Sequence, residues 1–347
     1  MSDGRTAVTA ATAATAGPGA LEKTGASPGT TGALGVAGAP GPPRAPGPSG
    51  TPEPPAAPEP YASVIRAERP GALTTVQDLG RTGHAHLGVP RSGALDLPAH
   101  RLANRLVGNP PEAATLETTV TGVALRVRRA VTAAVTGAPC AVRVDGRPAP
   151  WGAPVRLPAG AVLDVGPAAG GLRSYIAFAG GVAAEPVLGS RSADLLSGLG
   201  PPPLAAGDEL PLGTPHGPPA PVDAAPCPGP PAELVLPVLP GPRHDWFAPD
   251  ALDSLARARY AVSPASNRIG LRTEGPPLRR SRTGELPSEG MVLGAVQVPP
   301  DGRPVVFLAD HPVTGGYPVI GVVPEEHLWA AAQSAPGTPL RFVPVSR

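Results

Sequence analysis

Residues 288–318, SEGMVLGAVQVPPDGRPVVFLADHPVTGGYP, decide how the rest of the chain is read. Two apolar runs, 291–298 and 305–309, flank a Pro-Pro-Asp-Gly turn. Asp-Gly between apolar runs signals a β-hairpin. Polar residues gather at the expected strand ends: Ser288 and Glu289 before the first, Gln297 inside it, Asp310 and His311 after the second. Thr314-Gly315-Gly316-Tyr317-Pro318 closes the segment. A glycine pair lets backbone approach a ligand closely, with a hydroxyl on either side. The stretch reads as a binding loop on a β scaffold or as an ordinary tight turn.

The pattern extends outward in both directions. Short runs at 64–67, 124–127, 133–136, 141–144 and 175–178 predict strands in a first block, and 234–238, 319–323 and 340–343 add strands to a second. Helices are expected at 97–107, with Asp96 as N-cap and Gly108 as the stop, at 249–259, and at 324–333, where Pro and two acids open the segment. Many short strands with few helices predict a mainly β protein of barrels or sandwiches. The expected organisation is a Pro/Gly/Ala-rich disordered tail over 1–60, a lobe over 61–213, a Pro-rich linker or surface loop over 214–232, and a second lobe over 233–347.

Composition narrows the function classes. The 347 residues carry a net charge of +1, which argues against nucleic acid or an acidic membrane surface as partner. Residues 1–60 hold 12 prolines and 11 glycines, too little apolar material to offset ordering entropy. They show no charged and apolar regions of a secretory leader, and no apolar run reaches membrane length, so a soluble cytoplasmic protein is expected. Cys140 and Cys227 suggest neither a disulfide framework nor a metal site. Lys23 is the only lysine, so the folded part has no lysine to act as nucleophile or phosphate clamp. P-loop, nucleophile-elbow and zinc-protease motifs are absent.

Three further polar clusters accompany the opening segment. Residues 74–96 join Gln77, Asp78, Arg81, His84 and His86 in a Gly-rich loop region. The two imidazoles lack a third ligand, and Asp78 and Arg81 also read simply as a loop-fixing pair. Asn104, Asn109 and Glu117 form a second cluster, in which Asn109-Pro110-Pro111 reads as a turn. In the third, Asn267 beside Arg268 offers donors suited to a carboxylate or phosphate, or an Asx-turn leading into a strand.

Taken together these clusters resemble a known family: the C-type component of bacterial 5-oxoprolinase, also called the biotin-dependent carboxyltransferase or allophanate hydrolase subunit 2 family. The runs carrying the resemblance are TTVQDLGRTG (74–83), SGALD (92–96), LANRLVGN (102–109), SYIAFAGG (174–181), LPGPRHDWF (239–247), SNRIG (266–270), PSEGMVLGAVQVP (287–299) and TGGYP (314–318), in the family's order. The chain departs at Pro312 and Val313, where the family commonly has Gln and Thr. The resemblance implies two cyclophilin-like β-barrel lobes and direct pairing with the B-type component of 5-oxoprolinase, while the A-type component completes the assembly. It implies ATP-dependent hydrolysis of 5-oxoproline to glutamate, with ATP and Mg acting at the level of the complex and no metal or biotin bound by this chain. Within the matched motifs, side-chain chemistry nominates Asp310 as acid/base with Gln297 and Tyr317 beside it. Gln77, Asp78, Arg81, Asn267 and Thr314 are expected to bind substrate or phosphate. Arg268 is expected as an anion clamp, and Gly315-Gly316 as close-approach backbone. Two other readings share the family: carboxyl transfer from carboxybiotin, which the missing biotinyl run and lysine-free fold disfavour, and a regulatory module that sequesters a homologue of the B-type component.

Overall fold

The computed structural model describes residues 63–345; the expectation of a disordered tail over 1–60 falls outside them. The fold is mainly β, with three short α-helices among the described residues.

The first half holds two antiparallel sheets. One runs Glu209–Leu212, Ser63–Arg69, Val123–Val127, Val162–Ala168, Cys140–Val144, Arg147–Ala149, and the other Leu73–Gln77, Thr115–Thr119, Arg173–Phe178, Val131–Gly137, Pro154–Leu157. Period-two alternation explains the first: Ser63, Ile65 and Ala67 point inward while Arg66 and Glu68 face solvent. The second sheet is more fully covered, and all six residues of Arg173–Phe178 are buried. Ile65, Leu116, Leu125, Leu163, Ile176 and Phe178 lie in the core these sheets share. Helix α1 (Leu97–Leu106) packs on the second sheet, against Val131–Gly137 and Arg173–Phe178. It starts where expected: the Asp96 carboxylate accepts from the Ala99 N–H at 3.0 Å, Pro98 sits in the first turn, and Gly108 follows the end in the left-handed region.

The second half is a closed barrel in the order Leu234–Pro240, Val319–Val322, Ala295–Gln297, Val305–Phe307, Gly270–Glu274, Tyr260–Val262, Pro339–Pro344. It closes through a parallel pairing of its first and last strands, Leu234 opposite Leu340 and Val238 opposite Pro344. Its core includes Leu236, Val296, Val306, Ile320, Leu340 and Phe342. The opening hairpin is present, with Val296 opposite Val306. Its strands are shorter than the apolar runs, because residues 291–294 turn instead of pairing: Gly294 takes φ +80° and Ala295 N–H bonds back to Val292 O. Helix α2 (Ala251–Arg257) and helix α3 (Leu328–Ala332), the latter preceded by a 3-10 turn at Glu325–His327, occupy the expected segments. Residues 214–232 contain no strand or helix and lie against the first half, with Ala220 N–H on Leu106 O and Ala225 N–H on Gly152 O.

Candidate functional site

The segment Ser92-Gly93-Ala94-Leu95-Asp96 is held between the sheets and the barrel. Ser92 N–H donates to Ala309 O of the barrel, and Ala94 N–H to Asp78 O of the first half. Leu95 N–H reaches a Glu117 carboxylate oxygen at 3.1 Å, and Asp96 N–H the Tyr175 hydroxyl at 2.7 Å. Gly93 O accepts from Arg268 at 2.7 Å. This close threading needs two facing glycines. Gly80 and Gly93 both lie at positive φ, and a Cβ on Gly80 would stand 2.6 Å from Arg91 O and Ser92 O.

Behind the segment lies a buried polar cluster. Arg268 donates twice to Asp310, Nε to Oδ2 and Nη2 to Oδ1, each at 2.9 Å, and Nη1 donates to Glu117 Oε1 at 2.5 Å. Glu117 also accepts from the Tyr175 hydroxyl at 2.7 Å and lies 3.6 Å from Arg173 Nε. Burial alone would raise the Glu117 carboxyl. Arg268 and Arg173, with the Tyr175 and Leu95 donors, outweigh it and hold the group below the usual carboxylate range. Burial disfavours the Arg268 charge, but Glu117 and Asp310 more than compensate and raise its pKa. Gln333, just after α3, completes the junction. Its carbonyl accepts from the Leu172 and Arg173 N–H groups at 3.0 Å each, and its amide donates to Asp96 Oδ2 and Arg173 O at 2.8 Å.

This geometry revises two expected roles. Asp310 is 0% exposed and Arg268 2%. Four of Arg268's five N–H bonds go to protein acceptors, which leaves no fork for an external anion. Arg268 therefore joins the two halves through Glu117 and Gly93 instead of lining a cleft, with Asp310 of its own half as the second countercharge that makes its burial tolerable. Glu117, Arg173, Tyr175 and Gln333 are equal members of the junction, and the sequence motifs assign them no role there.

The remaining nominated residues divide into two groups. Gln77, Asp78 and Arg81 are buried and organise the loop 187–200. Asp78 accepts from the Ser190 and Ser192 hydroxyls and the Arg191 N–H, all at 2.6 Å, and from Gly80 N–H at 2.8 Å. Arg81 donates to Val187 O, to Ser92 Oγ and to Ser192 O, so it pairs with backbone and hydroxyl acceptors and not with Asp78. Burial lowers its pKa against the pull of Asp194 and Asp78. Gln77 donates to Thr75 Oγ1 and Ala193 O, while its Oε1 has no partner among the described residues. The second group surrounds the hairpin. Thr314 is exposed and Tyr317 half-buried; Thr314–Gly315 pairs with Glu289–Gly290. Gln297 donates to Tyr317 O at 3.3 Å, and a Cβ on Gly315 would sit 2.8 Å from Gln297 Nε2. The close approach at Gly315 is thus to Gln297. Asn267 forms an Asx-turn, its Oδ1 accepting from the Ile269 and Gly270 N–H groups. Asn109 likewise fixes a turn, bridging Asn104 Oδ1, Phe178 O and Gly180 N–H. His84 and His86 lie on an exposed 3-10 turn, and among the described residues no cluster of His, Cys, Asp or Glu could hold a metal ion. No helix among them is long and apolar enough to cross a membrane.

An open cleft of about 480 Å³ runs along the outer side of the same segment. Its walls come from three places: Leu79 and residues of the stretch from Arg91 to Arg101 in the first half, Leu293, Leu308 and Ala309 of the barrel half, and Glu325, Glu326, Leu328 and Trp329 around α3. Arg91 spans to Glu325 at 2.9 Å. None of the nominated residues lines this cleft. The apolar Ala-Leu pair in SGALD is the one trace it leaves in the sequence, and there it reads only as part of a motif.

Known proteins place the chain in context. The family model for the carboxyltransferase domain, subdomains A and B, matches residues 87–344. The C-type component of 5-oxoprolinase from Escherichia coli K12 is 37% identical over 289 residues, 82% of this chain and 92% of that protein. The urea amidolyase of Saccharomyces cerevisiae is 33% identical over 309 residues, 82% of this chain but 17% of that protein. Among solved structures, the protein designated TTHA0988 superposes with a TM-score of 0.74 at 39% identity, covering 83% of this chain and 57% of that one. The Kluyveromyces lactis urea amidolyase gives 0.75 at 28%, covering 84% and 19%. The SGALD segment, the charged junction and every wall residue of the cleft except Leu79 lie within residues 87–344, and the chain belongs to the family of carboxyltransferase domains, subdomains A and B.

Proposed function

We propose that this chain is the C-type component of an ATP-dependent 5-oxoprolinase, working with B- and A-type components in the cytoplasm to open 5-oxoproline to glutamate. The observation that carries the reading is the match to the E. coli 5-oxoprolinase component, which extends over 92% of that protein. The side-chain arrangement favours a chain that works with partners. A lactam carbonyl is a poor electrophile, and transfer of the ATP γ-phosphoryl to its oxygen makes the carbon open to water. Such chemistry needs Mg²⁺ and cationic groups around the phosphates. Here the buried guanidiniums of Arg268 and Arg81 already hold internal acceptors, so neither nominated arginine is available to a phosphate, and on this reading the partner chains supply phosphate-binding groups. This chain supplies one wall, with Thr314 and Tyr317 on accessible backbone. Reconstitution with the B- and A-type components tests this: glutamate release from 5-oxoproline must require ATP and all three proteins, and the isolated chain must release none. Turnover by the isolated chain would refute the shared site.

A second reading, the carboxyltransferase component of a biotin-dependent system, is favoured by the 33% identity to yeast urea amidolyase over 309 residues. ATP- and bicarbonate-dependent carboxylation of urea, on addition of a biotin carboxylase and a biotinyl carrier, would select it over the first.

A further inference from the structure

The cleft beside the SGALD segment has a size and a charge pattern of its own. At about 480 Å³ it falls in the range of small-molecule sites, roughly 300–1,000 Å³. Its walls are chiefly apolar, with Leu95, Leu97, Leu293, Leu308 and Trp329 among them. Four charged side chains complete it. Arg91 and Glu325 neutralise one another at 2.9 Å. Arg101 has no carboxylate within ion-pair distance among the described residues, and it stands on α1, whose backbone is fixed by its cap and by packing on the sheet. Glu326 also lines the cleft, with no cation at ion-pair distance among the described residues.

We propose that this cleft binds a small organic monoanion with an apolar body, its carboxylate paired with Arg101. The planar guanidinium suits a carboxylate bidentately. Arg101 itself is exposed, so the apolar walls strengthen the pairing only when the ligand's body covers the guanidinium. The body of the ligand replaces water against the leucines and Trp329. Arg101 is the one lining cation without a carboxylate partner among the described residues, so it neutralises a single ligand carboxylate, and a second negative charge would meet Glu326 with no free cation to offset it. The site is separate from the choice between the two reactions above and stands under either.

The full-length chain would be titrated with three probes: 3-phenylpropionate, the uncharged 3-phenylpropan-1-ol of the same shape, and the dianion phenylsuccinate. Tryptophan fluorescence and calorimetry report binding, with Trp329→Phe to assign the optical signal. The expected result is that phenylpropionate binds at least about tenfold tighter than the alcohol or the dianion. Arg101→Gln should erase its advantage over the alcohol while leaving the alcohol unchanged, and Glu326→Gln should improve the dianion. Leu97→Trp, which fills the cleft, should abolish binding of all three, with thermal melts confirming that each variant folds. Equal affinity of acid and alcohol, no effect of Arg101→Gln, undiminished binding by a folded Leu97→Trp protein, or no binding at millimolar concentration would each overturn the proposal.

Discussion

Replacing Glu117 by Gln tests whether the junction between the two halves is held by balanced charge. The substitution keeps shape and removes one negative charge. In the native cluster two buried cations, Arg268 and Arg173, face two buried anions, Glu117 and Asp310. The variant leaves one positive charge uncompensated at residues between 0% and 6% exposed. It also sets an amide NH₂ donor against donor, facing either the Tyr175 hydroxyl and Leu95 N–H that donate to Oε2 or the Arg268 guanidinium that donates to Oε1. Breaking a buried pair on one side costs about 3–5 kcal/mol, a large part of the roughly 5–15 kcal/mol typical of a folded protein. Urea titration of the full chain should show that loss, and a thermal scan should show a fall of about 10 °C. Arg268→Met should cost more, because it strands two carboxylates. The acid limb gives an independent check. The folded-state pKa of Glu117 lies below its ordinary 4.5, so its contribution is fully present above that pH and fades as pH falls through the lower folded value. Glu117→Gln should flatten that part of the stability profile. A loss below about 1 kcal/mol, or a milder effect for Arg268→Met than for Glu117→Gln, would refute the charge-balance reasoning.

Gly80→Ala forces a left-handed alanine against Arg91 O and Ser92 O, and should cost about 2–4 kcal/mol by urea titration. Gln333→Leu removes the acceptor of two backbone N–H groups and a donor to Asp96; a destabilisation of about 2–4 kcal/mol is expected, measured in the same way. Chelator treatment should leave the melting temperature unchanged, and so should the double substitution His84→Ala, His86→Ala; stoichiometric zinc lost on that substitution would contradict it.

Local signals carried far. Asp-Gly between apolar runs located the hairpin, an Asp before Leu97-Pro98 located α1, and the short run at 64–67 located the strand Ser63–Arg69. Each depends on a few adjacent residues and backbone geometry. The site was legible as a set of motifs but not as a shape. Arg268 and Asp310 are 42 residues apart, and Arg268 and Glu117 are 151 apart. A polar residue at a strand end reads the same whether it faces water or another buried charge. Glu117 did leave a local trace: a lone carboxylate in Thr115-Leu116-Glu117-Thr118-Thr119, on a strand whose first four residues are buried. The cleft left less, since its leucines and alanines resemble any core residues until the barrel half is set against α1.

The 151-residue interval between Glu117 and Arg268 also has a meaning in time. At roughly 5–20 residues per second of synthesis, the ribosome makes Arg268 about 8–30 seconds after Glu117. Until then the sheets of the first half can form, but Glu117 has only Arg173 as countercharge and the SGALD segment lacks its barrel contacts. The nascent first half must therefore remain hydrated at that surface, an opening that a chaperone or a protease can reach and that closes only once the barrel strands emerge.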